Sequence, residues 1–80
     1  MRPEEVISID PDTLSGAPVF VGTRVPVETL FDHLERGISL VEFLDDFPTV
    51  SKDQATAVLE LAGKVLSSQK FPQFYEATTR

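Results

Sequence analysis

The spacing of apolar residues changes at Pro26, and this change constrains the fold of the 80-residue chain more than any other feature. Before Pro26, short β-branched runs are interrupted by glycine and proline, which predicts short strands joined by turns. After it, apolar residues recur at i, i+3, i+4 and i+7 in three blocks, which predicts three helices. The expected fold is therefore mainly α, with a β element over residues 5–25 followed by three helices over residues 26–67.

The β element consists of two short predicted strands. Residues 6–9 form the first, which ends at the turn sequence 10–12, and residues 18–21 form the second, with a further extended segment at 24–25. Because Pro18 and Pro26 carry no amide hydrogen, we expect the second strand to lie at an edge of the sheet. A free edge can pair with a second copy of the chain. The sequence thus predicts a homodimer, either through an interface at Val19, Phe20 and Val21 or by swapping of the β element.

Local signals set the ends of the predicted helices. Pro26 fits the first helical position and Gly37 the position after the last. The second block ends before Pro48, since proline disfavours a helical residue in front of it. Capping boxes open the second and third helices, with Ser or Thr three residues before Glu or Gln, namely Ser39 with Glu42 and Ser51 with Gln54.

The second and third predicted helices are joined by roughly four residues, "PTVS", and the third extends to about Ser67. This spacing is compatible with a helix-turn-helix, in which the start of the second helix reads DNA. A plain packed corner between helices, with no DNA contact, is the alternative. Both remain open from the residues alone.

Charge and composition exclude several classes of function. The net charge is −6, and ten of the thirteen acidic residues lie in the first 48 positions. Such a chain is a poor general binder of nucleic acid and suits a basic protein partner better. The absence of a secretion signal and of a membrane span favours a cytoplasmic protein. The absence of cysteine excludes a thiolate metal site and a cysteine nucleophile. Because no metal motif and no glycine-rich phosphate loop appears either, we expect no cofactor and no enzymatic activity. Because so short a chain buries a thin core, oligomerisation is expected.

The chain from Val6 to about Leu66 resembles the bacterial family known as domain of unknown function 433. The likeness centres on "GTRVPV" and extends to "GAPV", to Gly37 before "ISLVEFLDDFP", and to the helix "VSKDQATAVLELA". The resemblance implies a homeodomain-like helical domain, and an antitoxin of the VapB type that masks a PIN-like ribonuclease toxin and binds the promoter of its own operon. The alternatives are a stand-alone dimeric helix-turn-helix regulator of DNA and a purely structural interaction module.

Four residues are candidates for DNA contact. Arg24 either locks the corner between strand and helix through an acidic residue or helix carbonyls, or touches a DNA phosphate or the dimer partner. On the third helix, Lys52 suits phosphate, Gln54 suits adenine and Thr56 suits a thymine methyl group. The capping box already explains Gln54, so a solvated helix face is the alternative for this set.

The C-terminal tail, residues 68–80, lies outside the resemblance and is the predicted toxin-binding extension. Aromatic side chains are frequent anchors of protein interfaces, although these could equally fold back onto their own subunit. The predicted contact residues are Lys70, Phe71, Pro72, Phe74, Tyr75 and Arg80.

Two further expectations concern charged groups. The lone His33 is expected at the surface without a metal. Asp45 and Asp46 end a helix, where the dipole disfavours them. They are therefore expected to have a basic neighbour, either Lys52 or a cation of a partner.

Overall fold

The computed structural model describes residues 2–68, which form a mainly helical domain with a two-stranded antiparallel sheet near its N-terminus. This confirms the expected combination of a β element and helices. The described chain has four helices, however, because a short one precedes the sheet. In chain order the elements are α1 (Pro3–Val6), β1 (Ile7–Ser8), a 3₁₀ turn (Leu14–Gly16), β2 (Val19–Phe20), α2 (Val27–Glu35), α3 (Leu40–Asp46) and α4 (Lys52–Leu66).

Helix α1 replaces the start of the first predicted strand. Pro3 occupies the beginning of the helix, and Glu4 and Glu5 lie in its first turn. Proline and acidic side chains both favour a helix N-terminus. Val6, predicted to begin the strand, instead ends α1 and is buried, so the strand is shorter than predicted.

The prediction that residues 18–21 form a free edge is wrong. On one side β1 lies antiparallel to β2, and the Val21 amide donates to the Val6 carbonyl at 2.8 Å. On the other side the Phe20 amide donates to the Val25 carbonyl at 3.0 Å. The chain folds back after Gly22 and covers the second side itself, although Pro26 contributes no amide hydrogen.

The predicted dimer interface is corrected accordingly. The side chains of Val19 and Phe20 are 4% and 0% exposed, and Val21 is half-buried. A second copy would therefore find neither an unpaired strand nor free side chains at Val19, Phe20 and Val21. Pairing through a free edge at these residues is therefore not available in the described fold.

The three longer helices begin and end within about one residue of the predicted positions. Pro26 lies one place outside α2 as its N-cap. At the other end, the amides of Gly37 and Ile38 donate to the carbonyls of Leu34 and His33 at 3.0 and 2.9 Å, the bonding pattern of a Schellman motif. Gly37 adopts a φ of +79°, which confirms its predicted role at this helix end.

Of the two predicted capping boxes, one is complete and one is half formed. The Ser51 hydroxyl accepts the Gln54 amide and the Gln54 side chain accepts the Ser51 amide, both at 3.0 Å. The Ser39 hydroxyl accepts a hydrogen bond from the backbone amide of Glu42 at 3.1 Å. In the described structure the backbone amide of Ser39 donates no bond to the Glu42 carboxylate.

The core is formed by side chains of the four described helices, of β2 and of the link before α4. Phe20 and Phe43 touch with ring centroids 6.3 Å apart, and α1 packs on α4 while α2 packs on α3. The main buried cluster consists of Val6, Phe20, Leu30, Phe43, Val50, Ala55 and Val58. No helix within residues 2–68 is both long and apolar enough to cross a membrane.

We expect Gly37→Ala to destabilise the fold and Gly63→Ala to stabilise it. Both glycines have open space where a Cβ would lie, so the backbone alone decides the effect. Alanine at the positive φ of Gly37 should lower the free energy of unfolding by about 1–2 kcal/mol. Alanine at helical Gly63 should raise it by up to about 1 kcal/mol. Urea denaturation followed by circular dichroism measures both, and changes of the same sign would contradict this account.

Candidate binding surfaces

The corner at residues 22–24 is built by its own backbone and by one hydroxyl. The Thr23 amide donates to the Phe20 carbonyl at 3.0 Å, which closes a turn that requires a φ of +77° at Gly22. The Thr23 hydroxyl donates to the same carbonyl at 2.8 Å and accepts the Val25 amide at 3.0 Å. Glycine supplies the backbone conformation and threonine closes it. Together they fix the backbone position from which the Arg24 side chain extends.

Arg24 is exposed, and no carboxylate of residues 2–68 lies within 4.0 Å of its guanidinium. The expected ion pair that would make it purely structural is therefore not found in this part of the chain. Arg24 instead borders a groove of about 420 Å³ together with the hydroxyl-bearing residues Ser8, Thr13 and Thr49. We call this the Arg24 groove.

The Arg24 groove extends from the β element to the link between α3 and α4. Asp10 also lines it, but its carboxylate is engaged locally, accepting the Asp12 amide at 2.9 Å and the Thr13 hydroxyl at 3.4 Å. Thr49 belongs to the link between α3 and α4. The fold thus brings Arg24 beside the segment that leads into α4, as a DNA contact at both places would require.

Gln54 does not have the free amide that base recognition needs. Its Oε1 accepts the Ser51 amide, and its Nε2 donates to the Val21 carbonyl at 2.9 Å. Gln54 is half-buried between α4 and the β corner. We therefore reassign Gln54 from reading adenine to joining these two elements.

The other two candidates on α4 are exposed in an environment of mixed charge. Lys52 and Thr56 both face solvent. Thr56 shares a shallow depression with the carboxylate residues Asp53 and Glu60. Negative charge on both sides of Thr56 opposes the approach of phosphate there, so of these two residues only Lys52 suits a phosphate contact.

Helix α2 carries three exposed acidic side chains on one side. Glu28, Asp32 and Glu35 are exposed at i, i+4 and i+7, which places them on one side of the helix. We call this side the acidic face. Among the described residues, no basic side chain lies within ion-pair distance of these three.

His33 is wrongly predicted as a surface residue. Its side chain is 19% exposed, and its ring meets the rings of Phe43 and Phe47 edge-on at 5.4 Å each. Nδ1 donates to the Thr29 carbonyl at 2.8 Å, so this nitrogen carries the proton. Nε2 lies 4.0 Å from the Asp46 carboxylate. Within residues 2–68, Lys52 is not within 4.0 Å of Asp46, and the base at that distance is the His33 ring, which forms an ion pair only when Nε2 is also protonated.

A second groove, which sequence reasoning missed, lies between α1 and α4. It has a volume of about 170 Å³ and is lined mainly by apolar side chains, with Glu60 and Lys64 also contributing. It could not be foreseen because a four-residue helix has no detectable period. Its apolar lining residues are Pro3, Val6, Ile7, Ala57, Val58 and Leu61. We call it the α1–α4 groove.

The residues predicted to bind a toxin lie outside the described part of the chain. They are Lys70, Phe71, Pro72, Phe74, Tyr75 and Arg80.

These elements define a class of small, mainly helical domains in which an exposed arginine lies at the corner between a strand and a helix. The chain belongs to the family described as "Protein of unknown function (DUF433)", whose model matches residues 7–62. This confirms the resemblance based on "GTRVPV" and its neighbours, while the description itself assigns no activity. No curated protein and no solved structure matches the chain.

We expect Gln54→Ala to lower the free energy of unfolding by about 1–3 kcal/mol, since it removes half a capping box and leaves the Val21 carbonyl without its donor. Thr56→Ala, two residues along the same helix and exposed, should change it by less than about 0.5 kcal/mol. Urea denaturation of both variants provides the comparison. Equal stability of the two would show that Gln54 is not structural.

Proposed function

We propose that the chain is an antitoxin of a type II toxin–antitoxin system, which binds a PIN-like ribonuclease toxin and neutralises it. The observation that carries the proposal is the acidic face of α2, where three exposed carboxylates have no basic partner among the described residues. A ribonuclease needs cations around its active site to hold RNA, because phosphate neutralisation dominates such binding. Carboxylates repeated along a rigid helix suit those cations.

The proposal assigns the tail a second contact. Phe71, Phe74 and Tyr75 would serve as apolar anchors, with α4 leading the chain toward the toxin. Lys70 or Arg80 would reach the acidic residues that hold metal in the toxin's active site. The aromatic and basic residues in the sequence of the tail are what support this second contact.

Neutralising the acidic face should weaken the complex with the product of the adjacent gene. In the full chain, we expect Glu28→Gln, Asp32→Asn and Glu35→Gln together to raise the Kd by about 3- to 150-fold at low salt, taking roughly 0.2–1 kcal/mol for each exposed charge pair. Added salt should reduce the difference. Isothermal titration calorimetry with the purified toxin, alongside its ribonuclease activity, measures the effect.

A matched control makes the same change of charge elsewhere. Glu4→Gln, Glu5→Gln and Asp53→Asn alter three other exposed carboxylates and should leave the Kd within about twofold. An equal effect of both triple variants would attribute binding to net charge and contradict a role for the acidic face. If the adjacent gene product is not bound at all, the antitoxin proposal fails.

Autoregulation by DNA binding is the second function that we propose. It is favoured by Arg24, which lies beside Thr49 and has no ion-pair partner among residues 2–68. In this arrangement α3 and α4 act as a helix-turn-helix, Arg24 and Lys52 contact phosphates, and Thr56 contacts a base. A stand-alone dimeric regulator without a toxin would use the same residues. The neighbouring gene distinguishes the two, since only an antitoxin requires a PIN-like protein beside it.

We expect Arg24→Ala and Lys52→Ala each to weaken binding of the upstream DNA uniformly across sequences and to reduce its salt dependence by about one phosphate contact. Thr56→Ala should instead relax base preference. Mobility shifts at two salt concentrations with competitor DNA test this. Arg36→Ala removes an exposed cation at the far end of α2 and is the control. An equal loss with Arg36→Ala would show that only net charge matters.

A further inference from the structure

Helix α4 carries apolar surface that the described domain leaves uncovered. Beside the α1–α4 groove, Leu61 is half-buried, and one turn later Val65 and Leu66 are 56% and 57% exposed. Leu61 and Val65 are four residues apart and so share one side of the helix. Ala57, one turn earlier, extends the same stripe into the groove. The C-terminal half of α4 therefore offers a continuous strip for another helix.

Two opposite charges border this strip. Glu60 and Lys64 both line the α1–α4 groove, and neither lies within 4.0 Å of an oppositely charged group of residues 2–68. Placing a second α4 antiparallel across the first, about a two-fold axis near residue 62, sets Glu60 opposite the partner's Lys64. The symmetry repeats the contact with the roles exchanged.

We propose that the α1–α4 groove and the C-terminal half of α4 form a two-fold interface with a second copy of this chain. Charge selects this occupant over others. A basic partner would meet Lys64 with repulsion, and an acidic partner would meet Glu60 in the same way, whereas a second copy satisfies both. The closure of residues 18–21 by the chain itself leaves the strand edge unavailable for the same purpose.

The fit of shape agrees with the fit of charge. In the antiparallel arrangement Val65 of each chain comes opposite the space between Ala57 and Leu61 of the other chain, at the α1–α4 groove. A groove of about 170 Å³ lined by apolar groups suits one aliphatic side chain. The contact covers Val65 in both copies and adds apolar burial to a domain whose own core is small. The acidic face of α2 takes no part in the contact.

Reversal of each charge singly and of both together tests the interface in the full chain. Sedimentation equilibrium should show a dimer for the unaltered protein. Glu60→Lys and Lys64→Glu should each raise the dimer Kd about tenfold or more, since like charges then face each other. The double reversal should restore the dimer, and an equimolar mixture of the two single variants should form a heterodimer. Circular dichroism checks that helix content is unchanged.

A second pair of variants tests the apolar strip without changing charge. Val65→Ser should weaken the dimer severalfold. Val41→Ser alters a valine that is 69% exposed on α3, and it should leave the dimer unchanged. A monomer at every concentration would overturn the proposal, including the case in which the tail covers the strip within one chain. A dimer that ignores both charge reversals would also overturn it, since the second copy would then sit elsewhere.

Discussion

The contact between Phe20 and Phe43 is the interaction on which this fold depends. Two strands of two residues each cannot hold together in water alone, so their order must come from burial against the helices. Phe20 provides it, since its ring is fully buried and its centroid lies 6.3 Å from that of Phe43 on α3. The backbone of Phe20 also frames the corner: its carbonyl accepts both the amide and the hydroxyl of Thr23. Core packing and the placement of Arg24 thus share one residue.

A second tie fixes the corner to the helices. Gln54 joins the first turn of α4 to the carbonyl of Val21, at a sequence separation of 33 residues. With the Phe20 contact to α3, this holds the corner to both helices of the proposed helix-turn-helix. His33 contributes similarly between α2 and α3, since its ring lies against Phe43 and Phe47 and its Nδ1 is bound to its own helix. Gln54 and His33 are candidates for other roles in the sequence, but in the fold each joins two elements.

The sequence predicts what is local and misses what depends on chain reversal. Helices α2 to α4 follow from apolar spacing and from nearby caps such as Gly37 and Ser51, whose partners are a few residues away. The return of the chain at 25–27 is not local: proline suggested an edge, yet the amides of Phe20 and Val27 supply the hydrogen bonds on that side. For the same reason the special position of Arg24 is foreseeable from its glycine and threonine, whereas the second bond of Gln54 and the α1–α4 groove are not.

The Arg24 groove, the acidic face and the α1–α4 groove lie on different parts of the fold. Their separation affects how so acidic a chain would bind DNA. Among the described residues, one subunit offers only Arg24 and Lys52 near the start of α4, and two phosphate contacts give weak, salt-sensitive binding. If two copies join through the C-terminal half of α4, the second pair of cations is held at a fixed distance from the first. Binding of one subunit then raises the effective concentration of the other at the DNA. Because the acidic face of α2 is not used in that contact, a toxin could occupy it in the same assembly. DNA binding by this chain would therefore depend on dimerisation more than on any single side chain.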